Sequence, residues 1–393
     1  MHLAFLSEFD PDRADRDDWP HTKLGHWGHC VTMADALEAA GHRVTRVGGL
    51  NKTREHGSLR AKVRRRFAGL RDRHHLAWVE PRFNIDYARQ FEAQLAAKLA
   101  LGDRYDAIVT PDPNLISHLK TDLPLFFWAD TAYATLLDEY PGFRDLTARS
   151  RRNLLDLDRR AMQRCGKIFL ASDWAIAGAM AVHGWPRDRF ECIELGANFE
   201  PDDPATVEPT IAARDRDTCR LLFVGTDWQR KGGDRAVALV DELRDRLVPA
   251  SLAVVGATPE LSDPNVKIVG RLDLAKAADR DRLEAEFRAA HFLVLPSDAE
   301  CFGHVLCEAN AFGVPVLTTD AGGMPTVVRA GVNGFTHGFD GWAAAMADRV
   351  TRLWRDRAAY ENLARSSRTE YDARLNWTVL GRRIGEAIER CLP

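Results

Sequence analysis

Leu295-Pro296-Ser297-Asp298-Ala299-Glu300-Cys301-Phe302-Gly303-His304-Val305-Leu306-Cys307-Glu308-Ala309-Asn310-Ala311-Phe312-Gly313-Val314-Pro315-Val316 reads as the end of a strand, a loop, a helix and a second strand. The apolar runs 292–295 and 314–318 carry the large and β-branched residues of buried strands, with Gly313 and Pro315 punctuating the turn between helix and strand. Ligands of open α/β sheets bind beyond the carboxyl ends of strands, so the loop after Leu295 is where a site is expected. Gly303 lets backbone approach a ligand closely, and the helix behind it turns free N–H groups toward an anion.

The same strand-then-helix order recurs along the whole chain, which predicts an α/β protein with parallel sheets covered on both faces. Strands are expected at 3–7, 44–47, 107–110, 125–128, 168–171 and 192–195, then at 221–224, 252–255, 266–269, 292–295 and 314–318. A first helix is read from near Trp27-Gly28 to Gly41-His42, where Gly41 supplies a helix stop. Between 198 and 217 the chain carries Pro201, Pro204 and Pro209 among many acids with no periodic apolar face, the signature of a linker. From Asp340 to Leu392 the period is helical throughout. The expected organisation is an N-terminal Rossmann-like domain at 1–200, a linker at 201–218, a second Rossmann-like domain at 219–365, and a C-terminal helix at 366–393 that crosses back to the first domain. Two such domains fit 393 residues, more than one hydrophobic core usually serves.

A hydrophobic share of 45%, a charged share of 28% and a net charge of −3 are ordinary for a folded globular chain and give no global attraction to nucleic acid. Seven scattered cysteines, an odd number in mostly apolar surroundings, point to reduced thiols and a cytoplasmic setting. The start, Met1 to Ser7, reads as a strand rather than a signal peptide, and no run is long enough to span a bilayer.

Glu300 in the loop and Glu308 two turns into the helix put two carboxylates where they can accept hydroxyl hydrogen bonds, although on spacing alone such a pair is an ordinary solvated helix face. Context separates these readings. Glu300, Phe302-Gly303, Glu308-Ala309, Gly313-x-Pro315-Val316 and Gly322-Gly323-Met324-Pro325 together resemble the signature of glycosyltransferase family 4, retaining enzymes of the GT-B fold. The resemblance extends to Asn333-Gly334-Phe335 and Asn376-Trp377, covers nearly all of the second domain, and is looser in the first.

That resemblance implies two Rossmann-like domains facing a central cleft and a nucleotide-diphosphate sugar as co-substrate, with no cofactor and no metal. It implies that Glu300 holds donor sugar hydroxyls, that Glu308 holds the ribose, and that the amides of Phe302, Gly303, His304 and Val305 face sugar and phosphates. In Gly225-Thr226-Asp227-Trp228-Gln229-Arg230-Lys231, Lys231 matches the family's phosphate-binding lysine. Thr226 stands where the family usually has an arginine; Arg230 either supplies the missing guanidinium or is a solvated residue at a helix start. Gly25 and Gly28 match a glycine-rich turn whose amides touch donor phosphates, or serve as structural glycines at a helix start, and His26 and His29 read either as surface histidines or as residues that reach the cleft.

Asp130, after the run 125–128, stands where many members have histidine. It is open between acceptor contact or base and N-capping of the next helix, whereas Ser172-Asp173 reads as a cap. Asp156-x-Asp158 and Asp215-x-Asp217 read as surface charge rather than metal-binding pairs. A basic amphipathic stretch at 52–73 reads either as a contact to an anionic membrane surface, with peripheral attachment to its inner face, or as a solvated face packed on the sheet. The expected activity is retaining, metal-independent transfer to a glycan, lipid-linked or small-molecule acceptor in cell-surface polysaccharide or glycoconjugate biosynthesis. The alternatives are a sugar-nucleotide epimerase or hydrolase of the same fold and a non-catalytic partner protein. Zinc at Cys301, His304 and Cys307 lacks an evident fourth ligand, and no early G-x-G-x-x-G supports a nicotinamide enzyme.

Overall fold

Ala107–Thr110 and Leu125–Ala129 are apolar without alternation, and every residue of both is buried, as expected of central parallel strands covered on two faces. They lie in a computed structural model that describes residues 1–8, 24–50, 85–102, 104–144, 146–201 and 203–392. The segment 52–73 read as a basic membrane-facing helix lies outside the described residues.

The described chain divides into two compact units, one containing Cys30–Ile193 and the residues from Gly381 onward, the other containing Glu194–Leu380. The first carries a six-stranded parallel sheet of β1 (His2–Leu6), β2 (Arg43–Val47), β3 (Ala107–Thr110), β4 (Leu125–Ala129), β5 (Cys165–Leu170) and β6 (Phe190–Cys192), in the order β2-β1-β3-β4-β5-β6. Its helices include α1 (Leu24–Ala39) from Cys30 onward, α2 (Ile85–Leu101), α3 (Tyr133–Glu139), α4 (Ala148–Gln163) and α5 (Asp173–His183).

Helix α4 shows how this sequence pattern makes local structure. Thr147 caps its first turn through Ser150 N–H, and Leu154, Leu157, Asp158 and Ala161 recur at helical spacing on the buried face. Asp156 points outward and pairs with Arg160 at 2.8 Å, as a surface reading expects. Asp158 corrects that reading: it is fully buried and accepts the Ala134 N–H at 2.7 Å at the start of α3, with His183 Nε2 at 3.9 Å. Burial raises its carboxyl pKa against the opposing pull of His183 and two α3 amides. Ser172 caps α5 through Ala175 N–H at 3.1 Å, as its sequence position suggests.

The second unit carries β7 (Cys219–Gly225), β8 (Ala250–Gly256), β9 (Val266–Gly270), β10 (Phe292–Leu295), β11 (Val316–Thr319) and β12 (Gly334–His337), in the order β12-β11-β10-β7-β8-β9, all parallel. Strand order reverses between β7 and β10. Both connections leave that pair in opposite directions, so a crevice opens beyond their carboxyl ends. The helices used below are α6 (Val207–Ala213), α7 (Gly233–Asp245), α8 (Ala277–Ala289), α9 (His304–Ala311), α10 (Trp342–Arg355), α11 (Arg357–Arg374) and α12 (Trp377–Glu389).

Three boundaries differ from the sequence reading. The first unit ends at Ile193 rather than 200. The proposed linker 201–218 is built into the second unit: Val207 and Ile211 of α6 are buried, and Arg214 donates to the carbonyls of Phe312 and Gly313 and to Tyr360 Oη, each at 2.8 Å. The chain rejoins the first unit at Gly381, inside α12, rather than at 366. There a Cβ on Gly381 would sit 2.1 Å from the Ala36 carbonyl of α1, so only glycine admits that approach.

Helix α7 closes with a residue at φ +62°, Leu247, and Val248 N–H returns to the Leu243 carbonyl at 2.9 Å. Such C-terminal positions are ordinarily glycine, because a Cβ is strained in the left-handed region. Leu247 is 89% exposed, so no packing offsets the strain. Leu247→Gly is expected to raise stability by about 0.5–1 kcal/mol, read by chemical denaturation. By contrast, Arg214→Ala strands three buried acceptors and should cost about 3 kcal/mol in the same measurement.

Candidate active site

The loop from Pro296 to Gly303 leaves β10 at the crevice, and its path is set by glycines on both neighbouring loops. Gly232, at φ +73°, sits so close to the Pro296 carbonyl that a Cβ would lie 2.0 Å from it. Gly322, at φ +60°, stands in the same relation to the Glu300 carbonyl, which also accepts the Gly323 N–H at 3.0 Å. The double glycine 322–323 is thus a backbone contact under Glu300.

Glu300 is shared by two cations. Its Oε1 accepts from Lys231 Nζ at 2.9 Å and its Oε2 from Arg230 Nη1 at 2.9 Å. The three side chains are 12%, 14% and 18% exposed, respectively, so the pairs are only weakly screened. Burial raises the Glu300 carboxyl pKa, but Lys231 and Arg230 outweigh it and hold the group below its ordinary value of 4.5. Arg230 is further fixed by the Ala299 carbonyl at 2.8 Å and by Asp227. Thr226 is exposed beside Gly225, and it is Arg230 that brings a guanidinium to Glu300. Gly225 leaves room for the Lys231 stem, since a Cβ there would lie 2.2 Å from Lys231 Cδ.

Glu308, in α9, behaves oppositely. Desolvation pushes its carboxyl up to about 7, against the Asn198 N–H and the charge of Lys231. A folded-state pKa raised above 4.5 means that the folded protein holds this proton longer than the unfolded chain, so the group subtracts stability as pH rises from 4.5 through about 7. At neutral pH the two glutamates therefore differ in protonation.

Gly303, at φ +91°, precedes α9, and Phe302 is buried beside it. His304 Nδ1 lies 2.9 Å from the Gly196 carbonyl; a carbonyl only accepts, so Nδ1 carries the hydrogen and Nε2 is the acceptor nitrogen of the neutral ring. The ring meets Phe302 edge-on at 5.8 Å and stacks on Trp377 at 6.3 Å. Trp377 in turn lies against Gly196, where a Cβ would be 2.8 Å from the indole. Asn376 caps α12 through Val379 N–H at 3.0 Å, which places Trp377 there. Val305 is buried in the first turn of α9.

Glu300, Arg230 and Lys231 thus meet in one cluster, with Glu308 within the field of Lys231, while Gly225, Phe302, Gly303, His304 and Val305 flank it in sequence and structure. Asp130 belongs to the other unit, follows β4, and accepts its neighbour Thr131 N–H at 2.8 Å. It is not the N-cap of α3, a position taken by Ala132. Gly25 and Gly28 fall within helix α1 rather than in an open turn. The roles of Asn198, Gly196 and Trp377 escaped sequence reading because they act through backbone groups or a ring face. Among the described residues no group of three or more His, Cys, Asp or Glu is placed to hold a metal, and no helix is long and apolar enough to cross a membrane.

The Glu300 carboxyl pKa lies below that of an unfolded glutamate, so its contribution to stability is complete above about 4.5 and is lost as pH falls through the folded value. Acid unfolding of the wild type should contain this component, and Glu300→Gln should lack it. Parallel acid limbs in the two proteins would contradict the assignment.

Residues 208–370 match the family of glycosyl transferases group 1. A D-inositol 3-phosphate glycosyltransferase from Kribbella flavida is 30% identical over 232 residues, covering 52% of this chain and 54% of the relative. The chain spans about half the length of the curated relatives it matches. Among solved structures, sucrose-phosphate synthase from Thermosynechococcus elongatus superposes with a TM-score of 0.67 at 18% identity, covering 99% of this chain and 98% of that one. HepE of Anabaena, solved with UDP and glucose, gives 0.57 at 16% identity, with 98% and 99% covered. These likenesses establish the GT-B fold, with its two parallel α/β units, and residues 208–370 are similar to the glycosyl transferases group 1 family.

Proposed function

We propose that this protein transfers a sugar from a nucleotide-diphosphate sugar to a glycan, lipid-linked or small-molecule acceptor, with retention at the anomeric carbon and without a metal. The observation that carries the reading is the Glu300 carboxylate between Arg230 and Lys231 at the point where the strand order reverses. A departing diphosphate needs positive charge in a weakly solvated place, and two cations at a crevice supply it. The names of the relatives and the UDP held by HepE support a sugar nucleotide as donor.

In this reading Arg230 and Lys231 face the diphosphate, with the Gly225-Thr226 turn beside it and the amides from Phe302 to Val305 aimed at sugar and phosphates. Glu300 accepts sugar hydroxyls and Glu308 the ribose hydroxyls, while Gly25, in the first turn of α1, contributes a backbone N–H to the phosphates; Gly28, a turn further in, has its N–H inside the helix. The bond from the anomeric carbon to the diphosphate breaks, and the acceptor oxygen bonds to the same face. The acceptor proton passes to the departing phosphate oxygen, either directly, with Asp130 as an acceptor contact, or by way of the Asp130 carboxylate as base. The setting is cytoplasmic synthesis of cell-surface polysaccharide or glycoconjugate, with peripheral attachment to an anionic membrane through 52–73.

Thermal unfolding against UDP, GDP, ADP and dTDP, with and without EDTA, tests the donor site. One of them at 100 times its Kd should add about 2.7 kcal/mol, unaffected by EDTA. Glu308→Ala should weaken that ligand about tenfold or more, the cost of one charged hydrogen-bond partner. Because Glu308 titrates at about 7, nucleotide affinity should rise through that pH more steeply in the wild type than in Glu308→Gln, which shares the ligand's own titration. Identical pH profiles would remove Glu308 from the ribose site, and no shift with any nucleotide would overturn the donor assignment. Sugar-nucleotide turnover that needs no acceptor would replace transfer by hydrolysis or epimerisation.

A further inference from the structure

Arg230 and Lys231 are adjacent in sequence but held differently. Arg230 is fixed by Glu300, Asp227 and the Ala299 carbonyl together. Lys231 has Glu300 as its one ion-pair partner among the described residues, at 2.9 Å from Oε1. Its stem runs across Gly225 through the space a Cβ would take, and no other ion pair holds its Nζ among the described residues. Lys231 is the exchangeable cation of the pair.

Resting on the transferase reading, we propose that Glu300 makes the site prefer a sugar nucleotide over the bare nucleoside diphosphate by retaining Lys231 until a sugar hydroxyl replaces it. A diphosphate that draws Nζ away leaves Oε1 of a 12%-exposed carboxylate short of a partner. A bare nucleoside diphosphate offers nothing in return, whereas the donor's sugar donates a hydroxyl hydrogen bond to that oxygen. Once the sugar has left with the acceptor, Lys231 returns to Oε1 and the product diphosphate loses a cation. Arg230, fixed by three groups, keeps its charge in place throughout. Glu300 therefore discriminates donor from product and promotes product release.

The test is calorimetric titration of the full chain with UDP, GDP and ADP and with UDP-glucose, GDP-mannose and ADP-glucose. Glu300→Gln should bind its bare diphosphate about tenfold tighter and its sugar nucleotide no tighter, the size of one charged hydrogen-bond partner. With Lys231→Met already present, adding Glu300→Gln should leave diphosphate affinity unchanged, because nothing remains to exchange. Glu300→Asp keeps the charge but falls one methylene short of Lys231, and should shift the preference in the same direction. Equal effects of Glu300→Gln on both ligand classes, or a diphosphate gain that persists without Lys231, would make the effect one of net charge and overturn the proposal. Wild-type protein that binds none of the six ligands overturns it together with the transferase reading, whereas wild-type binding with an unaltered preference in Glu300→Gln and Glu300→Asp overturns it alone.

Discussion

The carbonyl of Glu300 lies against Gly322, and that of Pro296 against Gly232, each so close that a Cβ would stand 2.0 Å away. Both glycines have positive φ, so even a small side chain would bring strain as well as collision. This close approach of backbone to backbone fixes the loop after β10 between the loops after β7 and β11, its neighbours in the sheet. The carboxylate of Glu300 inherits its position from that clamp, and the cations inherit theirs from the β7 loop, where Asp298 N–H donates to the Arg230 carbonyl at 2.8 Å. Site geometry here is a consequence of main-chain packing.

Within that frame one lysine organises two carboxylates in opposite ways. Lys231 and Arg230 overcome the desolvation of Glu300, whereas at Glu308 the pull of Lys231 and one amide only moderates it. A charge loses influence steeply with distance when it is already neutralised by a closer partner, so the direct ion pair wins at Glu300 and burial wins at Glu308. Two glutamates eight residues apart thus acquire different protonation at neutral pH without any difference in their own chemistry. His304 is held on the same principle of indirect support, its ring fixed by Gly196, Phe302 and Trp377.

The sequence by itself determined the order of elements, because a parallel strand buried on both faces must be apolar throughout and the runs around Leu3, Ile108, Phe127, Leu222, Val254 and Leu293 carry that mark. It also determined the motif loop, since glycine at close backbone approaches is a local requirement. The last strand of the first unit was shifted, read at 192–195 and formed at Phe190–Cys192, because its pairing with β5 rather than its own composition selects the residues. Tertiary structure alone decided which charged residues are buried. Asp158 was legible in period, sharing a helix face with Leu154, Leu157 and Ala161, but its burial depends on an Ala134 amide from another helix. Arg214 in an apparent linker became buried because carbonyls at 312 and 313 and a hydroxyl at 360 converge on it. A charge enters a protein interior only where distant segments supply its partners, and no local pattern encodes that meeting.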